Sequence, residues 1–198
     1  MKLKEARFVK SGTRLSHYPG GSFPEAAFCG RSNVGKSSLI NCLLNRRALA
    51  RTGSTPGRTR LINFYLVNQQ FYFADLPGFG YARVSGEMRQ DWKRMVEDYL
   101  EKRSQLKVVV LIVDLRRGLA GEELEFLDWL ELRGKKVLVV ATKSDKLKRQ
   151  ERARARQALE AQIGERGLEV IEFSSVSREG REQLWEALEK ALFGNVSV

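Results

Sequence analysis

The stretch GRSNVGKSS at residues 30–38, set directly after an apolar run at 26–29 and before a segment of helical period, constrains this chain more than any other feature. A glycine-rich turn between a strand and a helix, closed by Gly-Lys-Ser, wraps backbone amides and a helix N-terminus around an anion. Gly30 and Gly35 let the backbone close on the phosphates, with Arg31, Ser32, Asn33 and Val34 as the body of the loop. Lys36 then reaches the outer phosphate oxygens, Ser37 offers a hydroxyl to a magnesium ion, and Ser38 continues into the helix. A loop of this kind needs a strand feeding a helix at the carboxyl edge of a sheet, so the rest of the chain must supply that sheet.

It does so by alternation. Apolar runs rich in Val, Ile and Phe at 26–29, 61–67, 70–75, 108–114, 137–142 and 168–173 predict six strands, interleaved with helical periods that begin near Lys36, Glu87, Glu122, Gln150 and Glu179. This is an α/β pattern with a mostly parallel sheet and helices on both faces. The runs 61–67 and 70–75 are separated only by Asn68 and Gln69, too short for a crossover, and predict one antiparallel hairpin. Trp92, Val96 and Tyr99, and likewise Leu184, Leu188 and Leu192, recur at helical spacing and read as core faces. At 198 residues the chain is expected to form a single domain over 21–198, preceded by a basic extension over 1–20.

The net charge of +11 is unevenly placed: residues 1–60 hold 12 Lys or Arg against Glu5 and Glu25, whereas the remaining cations and acids nearly cancel. One side of the molecule is therefore expected to meet a polyanion. Much of that charge lies in RRALARTGSTPGRTR, residues 46–60, a connection with five arginines and no acid, longer than a bland loop in a compact domain. Cys29 and Cys42 form no CxxC pair and His17 is the lone histidine, so neither a disulfide framework nor a zinc site is suggested; both cysteines read as buried thiols and His17 as a surface residue. The charged N-terminus and the short apolar runs point to a cytoplasmic protein that does not enter a membrane.

Three further stretches follow strands and gain meaning from their order. ADLPGFGYA at 74–82 places Asp75, Leu76, Pro77 and Gly78 at the end of the second hairpin strand. Asp75 there can hold magnesium through water, and the Gly78 amide, with no Cβ, can approach a terminal phosphate. TKSD (Thr142, Lys143, Ser144, Asp145) leaves the 137–142 strand at the ligand-binding edge. The Asp145 carboxylate can accept from guanine N1–H and the exocyclic amine, donors that adenine lacks on that edge, while the Lys143 stem can lie over the base. Ser174, Ser175 and Val176 leave the last strand, where their amides can meet the guanine oxygen.

With GRSNVGKSS, TPGRT at 55–59, DLPG at 75–78, TKSD and SSV in this order, the chain resembles the translation-factor-type small GTPases. More narrowly, GRSNVGKSSLIN, STPGRTRLINFY, FADLPGFGYA and Thr142 in place of the more usual Asn resemble the EngB (YihA/YsxC) family of bacterial GTPases, over roughly residues 20–192. In the 46–60 connection Thr59, with Thr55 as the alternative, offers a second magnesium hydroxyl beside Ser37 and the water-mediated Asp75. The resemblance implies a Ras-like fold of six strands, GTP and GDP as ligands, magnesium on Ser37 and Thr59, and a terminal-phosphate sensor at Asp75 to Gly78. It further implies nucleotide contacts from Gly57, Arg58, Thr59, Arg60 and Leu61, base recognition by residues 142–145 and 174–176, a role in large ribosomal subunit assembly, and a link to cell division and septation. Lys36, Thr59, Gly78 and Asn33 are the expected catalytic set. A terminal phosphate is expected to order the loops 46–60 and 75–83, and hydrolysis to release them; contact with the large subunit or its rRNA is expected through the basic first third and these two switch loops, from a chain expected to be monomeric.

Phe79 departs from many GTPases, in which the residue after DxxG is a glutamine that orients the attacking water. A phenyl ring neither orients water nor moves a proton, so slow magnesium-dependent hydrolysis is expected, sped by a potassium ion beside Asn33 or by the ribosomal partner. Two other classes share parts of this pattern. A nucleotide kinase would use the phosphate loop but leaves TKSD and SSV unexplained, and an RNA-binding assembly module with little turnover leaves the intact Lys36, Ser37, Asp75 and Asp145 unexplained.

Overall fold

A computed structural model describes residues 2–50, 61–79 and 86–194, with no account of the side chains of 86–89 and 165. The strands are β1 (Ala6–Gly12), β2 (Glu25–Gly30), β3 (Ile62–Val67), β4 (Phe71–Asp75), β5 (Leu106–Asp114), β6 (Val137–Thr142) and β7 (Val170–Phe173). The helices are α1 (Lys36–Leu43), α2 (Gly86–Lys102), α3 (Gly121–Leu132), α4 (Arg149–Ile163) and α5 (Arg181–Phe193). All the strands join one sheet in the order β1-β3-β4-β2-β5-β6-β7.

The central strands are buried on both faces, so their side chains divide between two cores by simple alternation. Val109, Leu111 and Val113 of β5 pack with Val96, Tyr99, Leu127, Leu130 and Leu159 of α2, α3 and α4. Val108, Val110 and Ile112 pack on the other face with Leu39, Ile40, Leu43, Leu184 and Leu188 of α1 and α5. Tyr99 and the Leu184, Leu188, Leu192 stripe are buried, as their helical spacing predicts.

The sequence predicts six strands and the described residues form seven. The extra one, β1, pairs antiparallel with β3 from Ala6 opposite Val67 to Gly12 opposite Ile62, with an irregularity between Phe8 and Lys10. Its apolar alternation is hard to read because an edge strand with one free side carries Arg7 and Lys10 exposed, the usual guard against pairing with another chain. β3 and β4 form the expected hairpin, and β2, β4, β5, β6 and β7 run parallel. Cys29 is buried, as expected, but Cys42 is only half-buried, at the margin of the core that α1 and α5 share. His17 is exposed. Among the described residues no helix is long and apolar enough to cross a membrane, and no group of three or more His, Cys, Asp or Glu could hold a metal ion.

Candidate functional site

β2 ends on Gly30, whose backbone lies so close to Ile112 of β5 that a Cβ there would sit 2.4 Å from the Ile112 carbonyl oxygen. Gly35 caps α1 with φ +101°, a conformation that favours glycine. The first helical bond of α1 runs from the Leu39 amide to the Gly35 carbonyl at 2.9 Å. The amides before it therefore point off the helix N-terminus, where the helix dipole favours an anion. Ser32 adds a buried hydroxyl with no partner among the described residues. These features fit a phosphate group.

The segment after β4 lies directly on this loop. Lys36 Nζ donates to Asp75 Oδ1, and both side chains are largely buried. Phe79 makes a short parallel bridge to Arg31: its amide donates to the Gly30 carbonyl at 3.2 Å and its carbonyl accepts from the Ser32 amide at 3.1 Å. A Cβ on Gly78 would lie 3.2 Å from both the Gly30 carbonyl oxygen and the Ser32 nitrogen, so the approach depends on glycine. Leu76 is fully buried, and the Pro77 carbonyl accepts from Trp92 Nε1 of α2 at 3.3 Å. The Phe79 ring is buried between Trp92 and Phe126, with centroids 6.3 and 5.5 Å away. It is a packing residue of the α2–α3 side. Ser37 and Asp75 supply one hydroxyl and one carboxylate beside the loop, a donor set that fits magnesium, which takes most of its oxygens from water and phosphate. Gly57, Arg58, Thr59 and Arg60 lie outside the described residues; Leu61 is described and is exposed.

At the other end of the loop, Thr142 closes β6 over the glycine turn. Its hydroxyl lies 2.5 Å from the Val34 carbonyl oxygen and 2.9 Å from that of Val113, so its single proton ties the end of β6 to the phosphate loop or to β5. Threonine thus makes the tie that an amide at this position would be expected to make. Lys143, at φ +62°, crosses above Gly35 and donates its ammonium to the Asn33 carbonyl at 2.7 Å. Ser144 is buried. Asp145 Oδ1 accepts from the Ser174 hydroxyl at 2.6 Å, and the Ser174 oxygen in turn accepts from the amides of Val176 and Ser177 at 3.2 and 3.1 Å. The Ser174 amide donates to the Glu179 carbonyl at 3.1 Å. Of the amides of Ser174, Ser175 and Val176, that of Ser175 is thus the one with no protein acceptor among the described residues.

The motif residues described therefore gather at one edge of the sheet, although they come from β2, β4, β6, β7 and the turns that follow. Two contributors are not apparent from the motifs. Asp114, the last residue of β5, pairs with Lys143 at 3.0 Å, and Glu123 of α3 lies 3.7 Å from Arg31 in the phosphate loop. A signal for the first exists in VVVLIVD, where an acid ends a buried run just as Asp75 does. Glu123 carries no such signal, since it reads as an ordinary helix-start acid.

A mostly parallel sheet wrapped by helices, with a strand–glycine loop–helix unit at its carboxyl edge, an acid-ended strand facing the loop lysine and a TKSD turn above it, defines a Ras-like P-loop GTPase domain. Residues 25–143 match the family described as 50S ribosome-binding GTPase. The chain is 51% identical over 189 residues to the probable GTP-binding protein EngB of Geobacter sulfurreducens, covering 96% of this chain and 92% of that one. It is 47% identical over 192 residues to the probable GTP-binding protein EngB of Geotalea daltonii, covering 97% and 93%. The chain belongs to the EngB family of GTP-binding proteins. A crystal structure of a probable GTP-binding protein engB is similar at TM-score 0.66 and 26% identity, covering 85% of this chain and 98% of that one.

Proposed function

We propose that this protein is a GTP-dependent switch with slow intrinsic hydrolysis that acts on the large ribosomal subunit during its assembly. The observation that carries the slow-hydrolysis reading is Phe79, whose ring is buried against Trp92 and Phe126 while its backbone bridges the phosphate loop. A side chain committed to that packing has no group with which to orient water. Asp75 and Gly78 then serve as a sensor. Lys36 and the loop amides hold the phosphates, with Ser37, Asp75 and Thr59 as the magnesium donors. When bound, magnesium supplies charge neutralisation at the outer phosphates. Lys36 is shared between Asp75 and a terminal phosphate, so triphosphate binding has to rearrange the Lys36–Asp75 contact and, with it, the segment that carries Gly78.

Base recognition rests on Asp145 for the guanine N1–H and amine, the Ser175 amide for the guanine oxygen, and the Lys143 stem over the ring. Asn33, whose side chain is exposed and whose backbone is left-handed, is the proposed potassium contact beside the phosphates. The ribosomal partner is proposed from the family description and from charge. Lys2, Lys4, Arg7, Lys10 and Arg14 are exposed and make no ion pair with a described residue, which suits contact with rRNA phosphates. A link to cell division follows from a role in ribosome supply, and the compartment consistent with that role is the cytoplasm.

Co-sedimentation with purified ribosomal subunits tests this reading. Association with the large subunit in a GTP analogue, weaker association in GDP, and a steep loss on raising salt are expected. Equal association in all nucleotide states would overturn the switch, and no association at low salt would overturn the partner.

A further inference from the structure

Asp114 ends β5 opposite Thr142 of β6 and is almost fully buried. Its two carboxylate oxygens do different work. Oδ1 accepts from the Arg116 amide at 3.1 Å and from Arg116 Nε at 2.9 Å, contacts that close the turn after β5. Oδ2 accepts from Arg116 Nη2 at 2.7 Å and lies 3.0 Å from Lys143 Nζ. The same ammonium donates to the Asn33 carbonyl in the phosphate loop at 2.7 Å. Lys143 is thus held at its tip from β5 and from the loop, while its backbone sits at φ +62°, a region that bulky residues seldom adopt. Left to itself, a four-carbon stem ending in a hydrated ammonium samples many rotamers, and ordering it on ligand binding has an entropic cost.

We propose that Asp114 is a positioning residue for nucleotide binding: it holds the Lys143 ammonium on the Asn33 carbonyl and so sets the lysine stem in place for the base before nucleotide arrives. The charge needed for this is secure at neutral pH. Burial by itself would raise the Asp114 carboxyl, but the hydrogen bonds from Arg116 and Lys143 outweigh it and hold the group down at about 2. The arrangement also joins base pocket and phosphate loop mechanically, because one side chain contacts both. Since Asp114 and Lys143 lie away from the terminal phosphate, their effect falls equally on GDP and GTP. A role confined to the turn is the alternative. Asp114→Asn keeps an acceptor at Oδ1 for the Arg116 amide and Nε but turns a donor toward both Arg116 Nη2 and the Lys143 ammonium, so the comparison with an Arg116 variant is what separates the two.

The inference rests on the reading of residues 142–145 as the base pocket. The test is the release rate of N-methylanthraniloyl-labelled GDP and of a labelled non-hydrolysable GTP analogue from the full chain and from the variants Asp114→Asn, Lys143→Met and the pair together. Asp114→Asn is expected to speed release of both nucleotides about tenfold, with the double variant no faster than Lys143→Met alone. Multiplying single effects in the double variant, or unchanged release from Asp114→Asn, would overturn the proposal. Arg116→Gln, which weakens the turn and spares the Lys143 contact, gives an independent check. Release within about twofold of wild type is expected, and a tenfold acceleration would overturn the proposal even if Asp114→Asn failed to fold. Failure of the wild type to hold labelled GDP would instead overturn the base-pocket reading itself.

Discussion

Asp145 shows how far single residues could be read from the sequence. Its place at the carboxyl edge, after an apolar strand, was enough to suggest a guanine contact, but not that the Ser174 hydroxyl would orient its Oδ1 while accepting two amides. That orientation comes from β7 packing beside β6, a long-range pairing with no local signature. A carboxylate held in this way makes a sharp prediction. Asp145→Asn should weaken GTP by roughly 10²-fold or more, since each hydrogen bond to a charged acceptor is worth about 1.5–3 kcal/mol. Xanthosine triphosphate, whose C2 carbonyl accepts from the new amide, should bind the variant better than GTP does. Competition between the two triphosphates for the variant measures this, and unchanged preference for GTP would remove Asp145 from the base site. Thr142 carries a second lesson: its hydroxyl replaces an amide's tie to the loop because β6 delivers its Cβ close to Val34.

At the scale of elements, the internal strands and the helices were legible because burial on one or both faces imposes a period of 2 or 3.6 on the chain. β1 was not, since its exposed cations obscure the alternation, whereas β7 at the opposite edge keeps a readable apolar run. Helix α2 is fixed at its far end by an arrangement that no pattern announces. Glu25 of β2 is fully buried and accepts from Arg103 Nε at 3.0 Å and from the Tyr99 hydroxyl at 2.9 Å, while Arg103 Nη2 also donates to the Pro19 carbonyl at 2.7 Å. Burial and the neighbouring Glu25 charge together push the Tyr99 hydroxyl well above its ordinary value. With α2 anchored here, movement of the segment around Gly78 is expected to displace its Trp92 end about the fixed Arg103 end. Removing the guanidinium would leave a buried charge unpaired. Arg103→Met should therefore cost about 3–5 kcal/mol of stability in urea unfolding, and adding Glu25→Gln should recover part of it. A loss below 1 kcal/mol would show that the pair is effectively solvated.

For the whole molecule, the uneven charge was legible as a count, and pairing β1 along β3 spreads it from Lys2 and Lys4 beside Asn68 at the far turn to Gly12, which meets Ile62 near the nucleotide edge. Turnover tests the cation reading at this scale. GTP hydrolysis by the isolated protein is expected to be several-fold faster in potassium than in sodium at matched ionic strength, and equal rates would remove potassium from the mechanism. The sequence by itself determined the phosphate loop, the order of the sensing and base-contact turns, and the α/β class, because each depends on local spacing and on which residues must avoid water. Only the tertiary structure decided that Phe79 is a packing ring that bridges the loop, that Ser174 aims Asp145, and that Asp114 holds Lys143. Those contacts join residues 29 to 48 positions apart. They form only when parallel strands bring their carboxyl ends to one edge, and nothing in the neighbouring residues encodes them.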